Sequence, residues 1–269
     1  MSLIETDPQE RRAEIDRLIF DATVRGVVPL PTLTDDQLCV LSEGRWPLTD
    51  VPVWTDWAAL DPGVRFARGE RALRELAAAG HVLGWQHDAH GWTVSAAPAL
   101  ALLTAARARP SYAAFGAGLG AGHEVRAPRW FGIGASDGAD HLVVVELLVA
   151  GARQHRLMSP TRLSRSVAEW AAACLTSAAM GQQVPAVAVL LVRPGPDASV
   201  AGADRVADSG AEPGAYAVRV ASQPGHPGFD VDARTALGER IARQGCSVDE
   251  VDEVVARVLQ SAAPERDGS

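Results

Sequence analysis

The apolar and polar positions of this chain fall into blocks. The run "HLVVVELLVA" is apolar apart from its first residue and Glu146, the pattern of a central strand buried on both faces. "RWFGIGA" before it reads as a second strand across the turn "SDGAD", and "RQHRLMS" after it alternates as a third. A long helix then starts at Pro160 with Ser159 as its cap, and Leu163, Val167, Trp170, Cys174 and Ala178 keep to one stripe. A similar unit follows: the strand "VPAVAVLLVRP", a low-complexity stretch over about residues 194–213 that reads as disordered, and the returning strand "AYAVRVAS". "PGHPGF" breaks the chain and two helices close it. The first places Leu237 and Ile241 on its inner face. The second begins at Ser247, with Glu250 completing a capping box, and carries Val251, Val254, Val255, Val258 and Leu259. Residues after Pro264 are expected to fray.

The N-terminal part is helical. In "DPQERRAEIDRLIFDATVRG", Asp7 caps, Pro8 takes the first helical position, Gly26 ends the helix, and Ile15, Leu18, Ile19 and Ala22 form a narrow apolar face. "PLPTL" reads as a linker, and Thr34 with Gln37 sets up a capping box before Leu38 and Leu41. Trp46, Trp54 and Trp57 fall in a Pro-interrupted stretch and read as core. A helix containing "ARGERALRELAAA" ends at Gly80, "HVLGW" and "WTVSA" bracket a hairpin turn, and Pro98 opens a further helix. The sum is an α+β fold, mostly antiparallel sheet in two strand-then-helix units, behind a helical region with a wing-like helix–hairpin–helix segment. A single domain over 1–269 is expected, with subregions 1–110, 111–181 and 182–263.

Composition narrows the function. No apolar run reaches the roughly 18 residues of a membrane span, and the acidic start "MSLIETDPQERRAEID" is not a signal peptide, so a cytoplasmic location is expected. The net charge of −8 argues against general nucleic-acid binding. All 25 cations are arginine, a trait of codon usage rather than of function. Cys39, Cys174 and Cys246 form no pair and read as buried small hydrophobes.

Three motifs suggest chemistry, and each has a plainer reading. "GASDG" (Gly134 to Gly138) matches the nucleophile elbow around Ser136, but an apolar strand follows where the elbow needs a helix. "GAGLGAG" (Gly116 to Gly122) lacks the strand-to-helix setting of a dinucleotide loop and reads as a link before the sheet. His87, Asp88 and His90, with His81 near, form a hairpin tip without the second ligand cluster zinc requires. No catalytic residue, cofactor or metal site emerges. Arg153, Arg156, Arg162 and Arg165 gather around the start of the long helix as a cationic face.

The segment "ERALRELAAAGHV", a short helix ending "ARARP", and "RWFGIG…HLVVVELLVAGARQHRLMSPTRLSRSVAEWAAACL" together resemble the EspG-type ESX-secretion-associated proteins of actinobacteria. The likeness is one of layout. It covers roughly Leu33 to Leu175 and continues more loosely to Leu259. The resemblance implies a non-enzymatic cytosolic chaperone of type VII secretion, whose partner is a helical secreted client and which neither enters a membrane nor binds nucleic acid. On this reading the outward edge of the last helix, Val254 and Val258, and the cations Arg162 and Arg165 are the candidate partner-binding residues. The alternative is a winged-helix regulatory module, with Arg68 to Ala79 as recognition helix and His81 to Ala96 as wing.

Overall fold

A computed structural model describes residues 7–43, 48, 51–89, 91–108, 112–120, 123–133, 142–159, 162–169, 172, 186–194, 216–222, 228–235 and 238–262. The low-complexity stretch, Ser136, His90, Trp46, Trp170, Cys174 and Leu237 lie outside them. The architecture is α+β with antiparallel sheet.

Local signals set the N-terminal elements. Helix α1 (Pro8–Arg25) is capped by Asp7, whose side chain accepts from the Gln9 amide, and Gly26 closes it at φ 80°. Strand β1 (Val27–Thr34) occupies the segment expected to be a linker. Pro29 and Pro31 argue against a strand in the middle of a sheet, but β1 is an edge strand, where a missing N–H costs no ladder bond on the open side. Its register shifts between Leu30 and Leu33. The Thr34–Gln37 capping box is present and starts α2 (Asp35–Ser42). Helices α3 (Val51–Ala58) and α4 (Pro62–Ala78) follow. The end of α4 is a Schellman turn: His81 N–H donates to Leu76, Gly80 N–H to Ala77, and Gly80 sits at φ 76°. The hairpin β2 (Val82–Asp88) and β3 (Gly91–Ala96) then leads into α5 (Pro98–Ala108).

The remaining strands are β4 (Tyr112–Gly120), β5 (His123–Ile133), β6 (Leu142–Val149), β7 (Ala152–Met158), β8 (Ala186–Pro194), β9 (Tyr216–Ser222), β10 (Phe229–Arg234) and β11 (Arg240–Cys246). They form one nine-stranded sheet in the order β1-β7-β6-β5-β4-β8-β9-β10-β11. Two expectations fail here. The Gly-rich stretch is no link but the central strand β4, paired on one side with β5 and on the other with β8. The stretch around Ile241 is no helix. The buried Val231 and Ala233 alternate with Asp230, Asp232 and Arg234, and β10 turns at Gly238 (φ 79°) into β11. Good helix formers gave way to ladder pairing, because the period-2 alternation buries one face of the hairpin.

The sheet is built twice over. β4–β7 is followed by helix α6 (residues 162–169), and β8–β11 by α7 (Val248–Ala262). The two halves join through β4 and β8, which run antiparallel. Corresponding turns carry Gly151 at φ 80° and Gly238 at φ 79°. Corresponding helix starts carry Ser159, whose carbonyl accepts from Leu163, and Ser247, whose carbonyl accepts from Val251.

Helices α6 and α7 share one face of the sheet. Leu163 and Val167 pack there with Val251, Val254, Val255 and Val258 against Val145, Val218, Val220, Val231 and Ile241. The other face is treated unequally. Over β5–β7 it is roofed by the N-terminal elements, with Leu38, Leu73, Leu100 and Leu103 meeting Phe131, Val144 and Leu157. Over β9–β11, among the described residues, no helix lies on it.

Candidate functional site

Glu146, the polar residue in the apolar run, points at the roof and is 3% exposed. Ladder pairing puts Arg129 on one side of it and His155 on the other. Arg153 Nη1 donates to Glu146 at 3.0 Å and its Nε to Asp35, at the start of α2, at 2.8 Å. From α5, the fully buried Arg107 reaches down to Glu146 and to the Leu48 carbonyl. His155 Nδ1 donates to the Pro31 carbonyl at 2.8 Å, and Nε2 lies 3.1 Å from a Glu146 oxygen, a contact that is a hydrogen bond only when one of the two carries a proton. Burial, then the charge of Arg107, push the His155 imidazolium down to about 3, against the pull of the Pro31 carbonyl. This network pins the roof to the sheet, and its centre, Glu146 with Arg107, Arg153 and His155, is buried.

The second half repeats its sheet-borne part in the open. Asp232 corresponds to Glu146. Its ladder neighbours are Arg219 on β9 and Ala242 on β11, where Glu146 has Arg129 and His155. Arg240 corresponds to Arg153 and grips Asp232 with two bonds, Nε to Oδ1 at 3.0 Å and Nη2 to Oδ2 at 2.9 Å. That bonding holds the Asp232 carboxyl below its usual range. Where the roofed half fills space with Phe131 and His155, the open half has Ala221 and Ala242. A concavity of about 570 Å³ lies there, lined by Arg219, Asp230, Asp232 and Gln244 among others. Two arginines, Arg219 and Arg243, and two aspartates, Asp230 and Asp232, share its lining, in a chain that is acidic overall.

Other predicted residues lie elsewhere. Val254 and Val258 are 1% and 0% exposed, so neither forms an outward edge. The whole valine stripe of α7 turns inward, because the sheet and α6 between them cover it. Arg165 bridges Glu169 on its own helix and Asp249 at the start of α7, and Arg162 lies against Gly26. Arg153 is buried rather than part of a solvated face. His87 packs edge-on against Phe66 and Trp92, with ring centres 5.1 and 4.5 Å away. Trp57 is buried and donates to Glu43. Cys39 and Cys246 are buried, and burial together with Asp35 and Asp36 pushes the Cys39 thiol up to about 12. The elbow motif lies outside the described residues; β5 and β6, which flank it in the chain, pair antiparallel with Ile133 opposite Leu142. Among the described residues no three His, Cys, Asp or Glu side chains converge as a metal site, and no helix is long and apolar enough to cross a membrane.

On α4, the cations a recognition helix would need are already engaged. Arg68 bonds Asp36, Arg71 lies 3.5 Å from the same carboxylate, and Arg74 bonds Glu70. Sequence reasoning passed over Asp232, Arg219 and Arg240. The signal that finds them is the repeated "VAGAR" and "ALGER", a left-handed Gly two residues before an Arg in each half. The chain matches no family model and no curated protein.

Proposed function

We propose that this protein is a non-enzymatic adaptor that holds a helical client protein, in the manner of a type VII secretion chaperone. One observation carries the reading. A sheet with two equivalent halves is roofed over one of them, and the other presents the same charge pattern beside a concavity. In the roofed half, helices supply Arg107 and Asp35 to that pattern. In the open half, a client helix takes the place of the roof. The winged-helix alternative is weakened by the carboxylates that occupy Arg68, Arg71 and Arg74.

The test is co-purification with small helical-hairpin proteins of the kind that type VII systems secrete. The adaptor reading expects a stable complex, lost when Arg219→Glu and Arg234→Glu reverse the open face and retained when Arg74→Glu alters α4. No complex, or a complex indifferent to the open-face changes, sinks the reading. Salt-sensitive binding to duplex DNA that Arg71→Ala weakens would favour the alternative.

A further inference from the structure

The roofed half has a strand that the open half lacks. β1 lies along the outer side of β7 in antiparallel register, Val28 opposite Leu157 and Leu30 opposite His155. It runs straight into α2, whose Asp35 binds Arg153 at 2.8 Å. β11 is the counterpart of β7, and among the described residues nothing pairs with its outer side. We propose that β11 is an acceptor edge for an extended protein segment, which adds antiparallel to it as β1 adds to β7 and brings a carboxylate to Arg240 as Asp35 comes to Arg153.

Three features select this occupant. The sheet's two edges are unlike. β1 carries Pro29 and Pro31, which remove donors and stop further pairing, whereas β11 has no proline and leaves its outer ladder groups intact. The exposed side chains of β11 include Arg240 and Arg243, so a second copy of β11 would bring cation onto cation, while an acidic-ended strand would not. The arginine that meets the incoming carboxylate is already oriented: Asp232 holds Arg240 through Nε and Nη2, which turns Nη1 to the newcomer, whereas Glu146 holds Arg153 through Nη1 and Asp35 takes its Nε. Main-chain pairing would supply affinity, and the carboxylate would fix the register. This goes beyond the adaptor reading, since it names an extended segment at the edge rather than a helix over the face.

The probe is the synthetic peptide Val27–Leu38 of this chain, the segment that takes the equivalent place on β7. Its prolines keep it from building longer sheets. The full-length protein is titrated with labelled peptide, and amide hydrogen exchange is followed with and without it. The proposal expects saturable one-to-one binding, slowed exchange across residues 240–246, and affinity at least about tenfold weaker for Arg240→Ala or for a peptide with both aspartates changed to asparagine. Arg243→Glu leaves the Asp232–Arg240 pair in place and should weaken binding as well. Absence of saturable binding overturns the proposal. So does protection confined to β7, which would mean exchange with the resident β1, and so does indifference to both charge changes. Peptide binding without client capture removes only the adaptor reading, and client capture without peptide binding removes only this one.

Discussion

Glu146 and Asp232 hold corresponding positions in two halves of one sheet, yet their surroundings differ in kind. Glu146 is sealed beneath helices with Arg107 and Arg153 against it, and His155 beside it is held neutral. Asp232 keeps the arginine from the following strand and the one from the preceding strand, but its side chain is 46% exposed. The same charge motif thus does two jobs. Under the roof it fixes helices to the sheet at a high desolvation cost, offset by the pairing of Arg107 and Arg153 with Glu146 and of Arg153 with Asp35. In the open it contributes little to stability and remains available to something outside the fold. Conserving the charges while replacing Phe131 by Ala221 and His155 by Ala242 is what turns a packed interface into a concavity.

Substitutions separate the two roles. The largest effect should come from the shared core. Val145→Asp and Val258→Asp each place an unpaired carboxylate among buried valines, and both are expected to abolish folding, because that cost rivals a total stability of about 5–15 kcal/mol. Circular dichroism and a thermal melt decide it. A folded Val258→Asp protein would return α7 to the list of partner surfaces.

Next comes the paired comparison. Glu146→Gln strands buried arginines and should destabilise by roughly 3–5 kcal/mol in urea titration. Asp232→Asn should barely move the midpoint. Equal effects would mean that the open half is also covered.

Acid sharpens the contrast further. The folded His155 titrates near 3 and the unfolded side chain near 6.5. Between those values the unfolded chain binds the extra proton, so stability contributed by neutral His155 is complete above pH 6.5 and is lost as pH falls towards 3. The loss is up to roughly 5 kcal/mol. His155→Gln should flatten the stability profile between pH 6.5 and 4.5, above the range where most carboxylates titrate. An unchanged slope would place the acid sensitivity elsewhere.

The smallest effect concerns the end of the open half. Ser247 and Glu250 form a reciprocal cap, with Glu250 accepting from the Ser247 amide at 2.8 Å. Ser247→Ala should cost about 1 kcal/mol and leave the open face unchanged.

Local chemistry was legible in the sequence wherever one residue decides a turn. Asp7 and Gly26 bound α1, Thr34 with Gln37 starts α2, Gly80 ends α4, and Ser247 with Glu250 starts α7, all as the sequence predicts. Pairing over distance was not. β1 hid behind its prolines and β4 behind its glycines, because both signals mark turns unless the neighbouring strand is known. β11 hid in a segment whose composition favours helix, and only the hairpin partner β10 overrides that preference. Glu146 was visible as an odd residue in an apolar run, but its partners Arg107 and Asp35 come from elements far away in the chain. The open face was invisible for the same reason. Its meaning lies in correspondence with the roofed half, and that exists only once the strand order is known.

The central claim is that the face of β9–β11 is open in the folded protein. Thiol labelling tests it most directly, in a variant with Cys174 replaced by serine and Ala242 by cysteine. Cys39, buried and with its thiol pushed up to about 12, supplies the slow reference within the same molecule. The account predicts that the thiol introduced at position 242 reacts with a maleimide at the rate of an exposed cysteine under native conditions, while Cys39 reacts only on unfolding. A thiol at position 242 as slow as Cys39 would show that the face is covered and would contradict the account.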